Sequence, residues 1–164
     1  MFFDTHAHYD DRRFNEDRGE LLGTMKDAGI DLILNASSNL RSSKFGLRLA
    51  DKYPFIYASV GVHPHDSKEM TDDTVPELEK LLSHPKAMAV GEIGLDYHYD
   101  FSPRDIQKKR FREQLEMARR MKKPVVIHER EALGDTLDTI REFRDLTGVF
   151  HCFSGSWETA KTIL

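Results

Sequence analysis

Short apolar runs alternate with longer amphipathic stretches along almost the whole chain. The apolar runs fall at residues 2–4, 32–36, 55–60, 87–91, 124–127 and 149–150. Each is too short for a helix and is bounded by polar or turn-forming residues, so each predicts a strand. The stretches between them, at 16–28, 40–52, 74–83, 103–121 and 132–146, carry apolar residues at helical spacing. Ile106, Phe111, Leu115, Ala118 and Met121 mark one such stripe. Gly29 and Gly148 stand where helix C-terminal caps are expected. Pro103 suits a first helical turn, with Ser102 as its N-cap. Residues 156–164 read as the opening of a further helix.

This β-α alternation predicts parallel strands joined by crossover helices. The strands are short and apolar enough to predict a sheet covered on both faces. Two architectures satisfy the pattern: an open doubly wound sheet and a (β/α)8 barrel. His6, Glu92, His128 and His151 each close an apolar run, and a barrel gathers its strand ends into one ring. The expected fold is therefore α/β, a TIM-type (β/α)8 barrel. Six strands are present where closure takes eight. The expectation is a single partial TIM-barrel hydrolase domain over 1–164, with about six βα units and the last two missing.

Composition narrows the setting. Of 164 residues, 39% are hydrophobic and 32% charged, a globular balance, and the net charge of −4 argues against a broadly basic nucleic-acid surface. Cys152 is the only cysteine, which removes any intrachain disulfide and suits a reducing cytoplasm. No secretory leader or membrane span is legible, so the expected location is cytoplasmic, with no membrane partner. The basic run from Arg104 to Lys123 is interleaved with Asp105, Glu113 and Glu116 and reads as the solvated side of a helix rather than a binding patch.

The chemistry lies in the histidines and one carboxylate. In a strand, residues two apart share a face, so His6 and His8 aim two imidazoles at one point, as metal binding needs. Glu92 lies between Gly91 and Gly94, small residues that allow close backbone approach, and its two oxygens suit it to bridge two ions. His128 and His151 are further ligand candidates. His63 and His65 flank Pro64 in the loop after the third strand, placed for substrate contact or proton donation. Arg130 offers a planar fork for a phosphate or carboxylate. Cys152 adjoins His151 without an oriented triad and reads as a packed or passive thiol.

Phe3-Asp4-Thr5-His6-Ala7-His8, Gly61-Val62-His63-Pro64-His65, Gly91-Glu92-Ile93-Gly94-Leu95-Asp96-Tyr97, Ile127-His128-Glu129-Arg130-Glu131-Ala132 and Val149-Phe150-His151-Cys152-Phe153-Ser154-Gly155 occur in this order. Together they resemble the TatD family of metal-dependent deoxyribonucleases, within the amidohydrolase-like superfamily. The resemblance implies a one- or two-metal centre holding divalent Mg, Mn or Zn. By that analogy His6 and His8 bind one ion, Glu92 bridges, and His128 and His151 bind the other. His63 contacts the scissile phosphate or the attacking water, which makes His63 and Glu92 the catalytic pair, with His63, His65 and Arg130 as substrate-binding residues. The expected substrate is DNA, with single strands trimmed from an end. Alternatives are amide or ester hydrolysis, such as deacylation of a D-aminoacyl-tRNA, and an inactive truncated barrel. Family members also carry a metal-binding aspartate in a later Glu-Thr-Asp context, which this sequence does not reach.

Overall fold

A computed structural model describes all residues from Met1 to Leu164. The six apolar runs become six strands: β1 (Phe2–Ala7), β2 (Ile30–Asn35), β3 (Ile56–Val60), β4 (Ala87–Asp96), β5 (Val125–Arg130) and β6 (Gly148–Phe150). All neighbouring pairs are parallel, and the spatial order equals the chain order. An open doubly wound sheet reverses its strand order at a switch point, and this sheet never does. The sheet also curls. The His151 ring, one residue past β6, stacks on His6 of β1 with centroids 3.4 Å apart, although these strands are opposite edges. Sequential parallel order with this curvature is the geometry of an incomplete TIM-type barrel.

The helices are α1 (Arg18–Thr24), α2 (Leu40–Lys52), α3 (Thr74–Leu82), α4 (Arg104–Met121), α5 (Leu133–Ile140) and α6 (Trp157–Ile163). Asn39 starts α2 with a capping box: its side chain accepts from the Ser42 N–H, and the Ser42 hydroxyl accepts from the Asn39 N–H. Gly29 ends the turns after α1 at φ 81°, with the Ile30 N–H donating to the Met25 carbonyl, as a Schellman cap requires. The main core joins the convex side of β3–β5 to α2, α3 and α4. Leu78, Leu82, Phe111, Leu115 and Met117 lie against Val60, Val90, Ile93 and Ile127 there.

Several expectations need correction. The helix expected over 132–146 ends at Ile140 and continues as a 3-10 turn, Arg141–Phe143. Gly148 is not a cap. It opens β6, where a Cβ would collide with the Val125 backbone. Ser102 does not cap α4, whose N-cap is Pro103. The Ser102 hydroxyl instead donates to the His65 carbonyl and accepts from the Lys68 N–H. The sheet is not covered on both faces. Phe3, Leu32, Met88 and Val149 line an open groove of ≈ 570 Å³ on the concave side and stay 39–52% exposed. Helices following each strand cover only the convex face. Cys152 is exposed rather than packed. The basic run on α4 is, as expected, a solvated helix side: Lys108, Arg110, Arg112, Arg119 and Arg120 are paired with Asp135, Glu113, Glu142, Asp145 and Glu79, which leaves no free basic strip. No helix is long and apolar enough to cross a membrane.

Candidate metal centre at the strand ends

Two irregularities aim the donors inward. The β1–β2 register shifts between Asp4 and Ala7, so Thr5 faces the open groove while His6 turns toward Glu92. The β4–β5 register shifts between Val90 and Ile93, around Glu92. Gly91 permits the close approach of these strands: a Cβ there would stand 2.7 Å from Val126 Cβ. The Glu92 N–H donates to the Ser37 carbonyl at 2.7 Å, and the Ser59 hydroxyl ties the Gly91 carbonyl at 2.6 Å. Glu92 is therefore fixed by backbone and buried serines before any ligand is considered.

Its carboxylate divides its two oxygens. Oε2 lies 3.2 Å from His6 Nε2 and 3.8 Å from His8 Nε2. Oε1 lies 2.9 Å from His128 Nδ1 and 4.0 Å from His63 Nε2. Two donor groups result, His6–His8–Glu92 and His63–Glu92–His128, sharing the one carboxylate. Burial raises the Glu92 pKa, but hydrogen bonds from His128 and His6 outweigh it and hold the group well below the usual carboxylate range.

The first group fits a divalent ion. His8 Nδ1 lies 3.0 Å from the Ala36 carbonyl; with its proton there, Nε2 presents a lone pair to the cluster. His6 Nε2 is 3.1 Å from His8 Nε2. The three separations of 3.1, 3.2 and 3.8 Å approach the spacing of about 3.0–3.4 Å between ligands lying about 2.1 Å from one ion. A mixed nitrogen and oxygen donor set of this kind suits Zn or Mn.

The second group divides its labour. His63 Nδ1 accepts from the His65 N–H at 3.2 Å, so the neutral ring carries its proton on Nε2, facing the carboxylate. Burial, reinforced by the nearby charge of His128, pushes its pKa down to about 3. His63 is thus a neutral donor rather than a lone-pair ligand. His128 spans two carboxylates, with Nδ1 toward Glu92 and Nε2 3.0 Å from Asp96 Oδ2. Burial lowers its pKa, and Glu92 and Asp96 together reverse that and raise it.

Asp96 was not singled out from the sequence as a site residue. It is fully buried, and Oδ2 takes both His128 Nε2 and His65 Nε2, the latter at 2.8 Å. The signal was present: positions 92, 94 and 96 share a strand face. Gln107 and Gln114 were also missed. Gln114 accepts from the Val62 N–H and donates to the Val62 carbonyl, while Gln107 does the same for Asp96. They lie seven apart within the apolar stripe of α4, so each is a polar residue on a buried face. The structure thus brings together His6, His8, His63, Glu92 and His128, with His65 joined through Asp96. His151 contributes to neither donor group; it packs flat on His6. Arg130 is exposed, its guanidinium 4.8 Å over the Tyr99 ring.

Comparison with known proteins agrees with this frame. The family profile described as TatD related DNase matches residues 3–164. An uncharacterized metal-dependent hydrolase, YabD of Bacillus subtilis, is 36% identical over 98% of this chain and 64% of its own. The 3'-5' ssDNA/RNA exonuclease TatD of Escherichia coli K12 is 34% identical over 95% of this chain and 61% of its own. The crystal structure of YJJV, a TatD homolog from E. coli K12, superposes with TM-score 0.91 at 33% identity, covering 99% of this chain and 64% of that one. The chain therefore spans under two-thirds of the length of these relatives.

Proposed function

The chain belongs to the TatD-related DNase family, and on that premise we propose that it is a metal-dependent phosphodiesterase that removes nucleotides from the end of a DNA single strand. One observation carries this reading: the Glu92 carboxylate turns one oxygen to His6 and His8 and the other to His128 and His63. That is the arrangement a bridging carboxylate needs between two divalent ions, Mg, Mn or Zn. His6, His8 and Glu92 would hold one ion, and Glu92 and His128 the other, with His151, stacked on His6, as a further ligand candidate for the second. Bound there, such ions polarise phosphoryl oxygens and lower the pKa of water.

The chain's own residues supply the rest. His63, neutral and carrying its proton on Nε2, donates to a non-bridging phosphate oxygen or orients the attacking water. Asp96 holds the His128 proton on Nε2, which leaves Nδ1 free to ligate. His65 and Arg130 lie on the approach side and contact the strand. The name of the E. coli TatD relative, a 3'-5' ssDNA/RNA exonuclease, supports the choice of substrate.

The test uses purified protein, Mg or Mn, and end-labelled single-stranded DNA. Stepwise shortening of the labelled strand, lost in Glu92→Ala and in excess chelator, is the expected result. Full activity in that variant, or in chelator, overturns the metal mechanism.

A further inference from the structure

Beside the donor cluster, two aromatic rings are held out to solvent. Tyr99 and Phe101, in the loop between β4 and α4, are 47% and 54% exposed. Their rings stack with centroids 5.2 Å apart and 26° between planes. The His65 ring meets Phe101 edge-on at 4.8 Å, and the Arg130 guanidinium lies 4.8 Å over Tyr99. Half-exposed aromatic rings grouped in this way in a short polar loop mark a contact surface.

The loop that carries them is rigid. Asp96 Oδ1 accepts from the His98 and Tyr99 N–H groups at 3.1 and 2.8 Å. Lys68 Nζ donates to the Phe101 carbonyl at 2.8 Å. Gln107 ties both loop ends by donating to the carbonyls of Asp96 and Ser102. A loop backbone held in this way loses little freedom when a flat ligand settles on the rings it carries.

The platform is also continuous with the cluster. His65 beneath Phe101 reaches Asp96, Asp96 reaches His128, and His128 reaches Glu92, each step 3.0 Å or less. We propose that Tyr99 and Phe101, with Arg130, form a stacking platform for a nucleobase of the strand whose phosphate lies at the donor cluster. Aromatic faces bind any base, and an arginine plane adds a cation–π contribution. The platform would grip a strand without reading its sequence, as trimming from an end requires. The inference rests on the nuclease reading and adds to it the base-holding site.

The test compares two hydrolysis-resistant phosphorothioate strands, an octathymidine and an abasic strand with the same number of phosphates, by fluorescence anisotropy. The protein should bind the base-bearing strand about five- to 150-fold more tightly for each base stacked. The Tyr99→Ala, Phe101→Ala double variant should lose that preference and keep its affinity for the abasic strand, whereas Phe101→Trp should retain it. A 2-aminopurine in the strand should be quenched on binding to the unsubstituted protein and stay bright with the double variant. Equal binding of the two strands, or a preference that survives the double substitution, overturns the platform alone. Binding of neither strand overturns the platform and the nuclease reading together.

Discussion

The concave face of the sheet has two levels, and they are partnered to very different degrees. Val126 and His128 lie two residues apart on β5. Val126 belongs to a small apolar layer with Leu34 and Ala89, whose neighbours Leu32, Met88 and Val149 face an open groove. His128 sits one level up, with a carboxylate on each ring nitrogen. The upper level completes itself because the sheet curls enough for His6 and His8, from the β1 end, to reach Glu92 on β4, three strands away, while His128 reaches it from the adjacent β5. The lower level holds side chains that in a closed barrel would meet partners from across the lumen. The convex face differs from both, since each crossover helix packs onto the strands beside it in the chain.

Substitutions can break this comparison or sharpen it. Phe111 on α4 is fully buried against the convex side, and Phe111→Ala should cost about 3–5 kcal/mol in urea unfolding. On the upper concave level, saturating metal at about 100 times Kd should stabilise the protein by about 2.7 kcal/mol, and Glu92→Ala should abolish that gain in a thermal melt. Asp96→Asn keeps the shape but weakens the acceptor for His128, so calorimetry should show metal affinity falling about 10- to 100-fold.

Acid titration of the metal-free protein gives the next effect. His63 has its folded pKa pushed down to about 3, and the unfolded value is near 6.5. The unfolded chain therefore takes up a proton that the folded protein refuses, and stability falls as pH falls from 6.5 toward 3. The slope is about 1.4 kcal/mol per pH unit for one proton. His151, also depressed by burial and by His6, adds in the same direction. Glu92 and Asp96, both held low, contribute only below their unfolded range near pH 4. Unfolding curves between pH 6.5 and 4.5 should thus be flatter in His63→Gln. The smallest effect belongs to the lower concave level, where Leu32→Ala should cost under about 1 kcal/mol. A cost as large as that of Phe111→Ala would show that the groove is packed in solution.

The sequence alone determined the α/β alternation and the barrel class, and it pointed to His6, His8, Glu92 and His128, which the fold brings together. These rest on periods of two and 3.6 and on which residue closes an apolar run, and both are local properties. It also placed Gly29 correctly, because a helix end of that form needs φ above zero. Tertiary structure decided what depends on distance across strands. Asp96 joins His128 to His65 only because β4 and β5 lie in a register that aligns Gly94 with His128. Gln107 and Gln114 become clamps only because α4 crosses the ends of β3 and β4. The tautomer of His63, with its proton on Nε2, was set by one backbone N–H, that of His65, contacting Nδ1. The strand count pointed to an unclosed barrel, but the apolar strands were read as covered on both faces, because whether an inward apolar side chain is covered depends on strands opposite it, not on its neighbours in sequence.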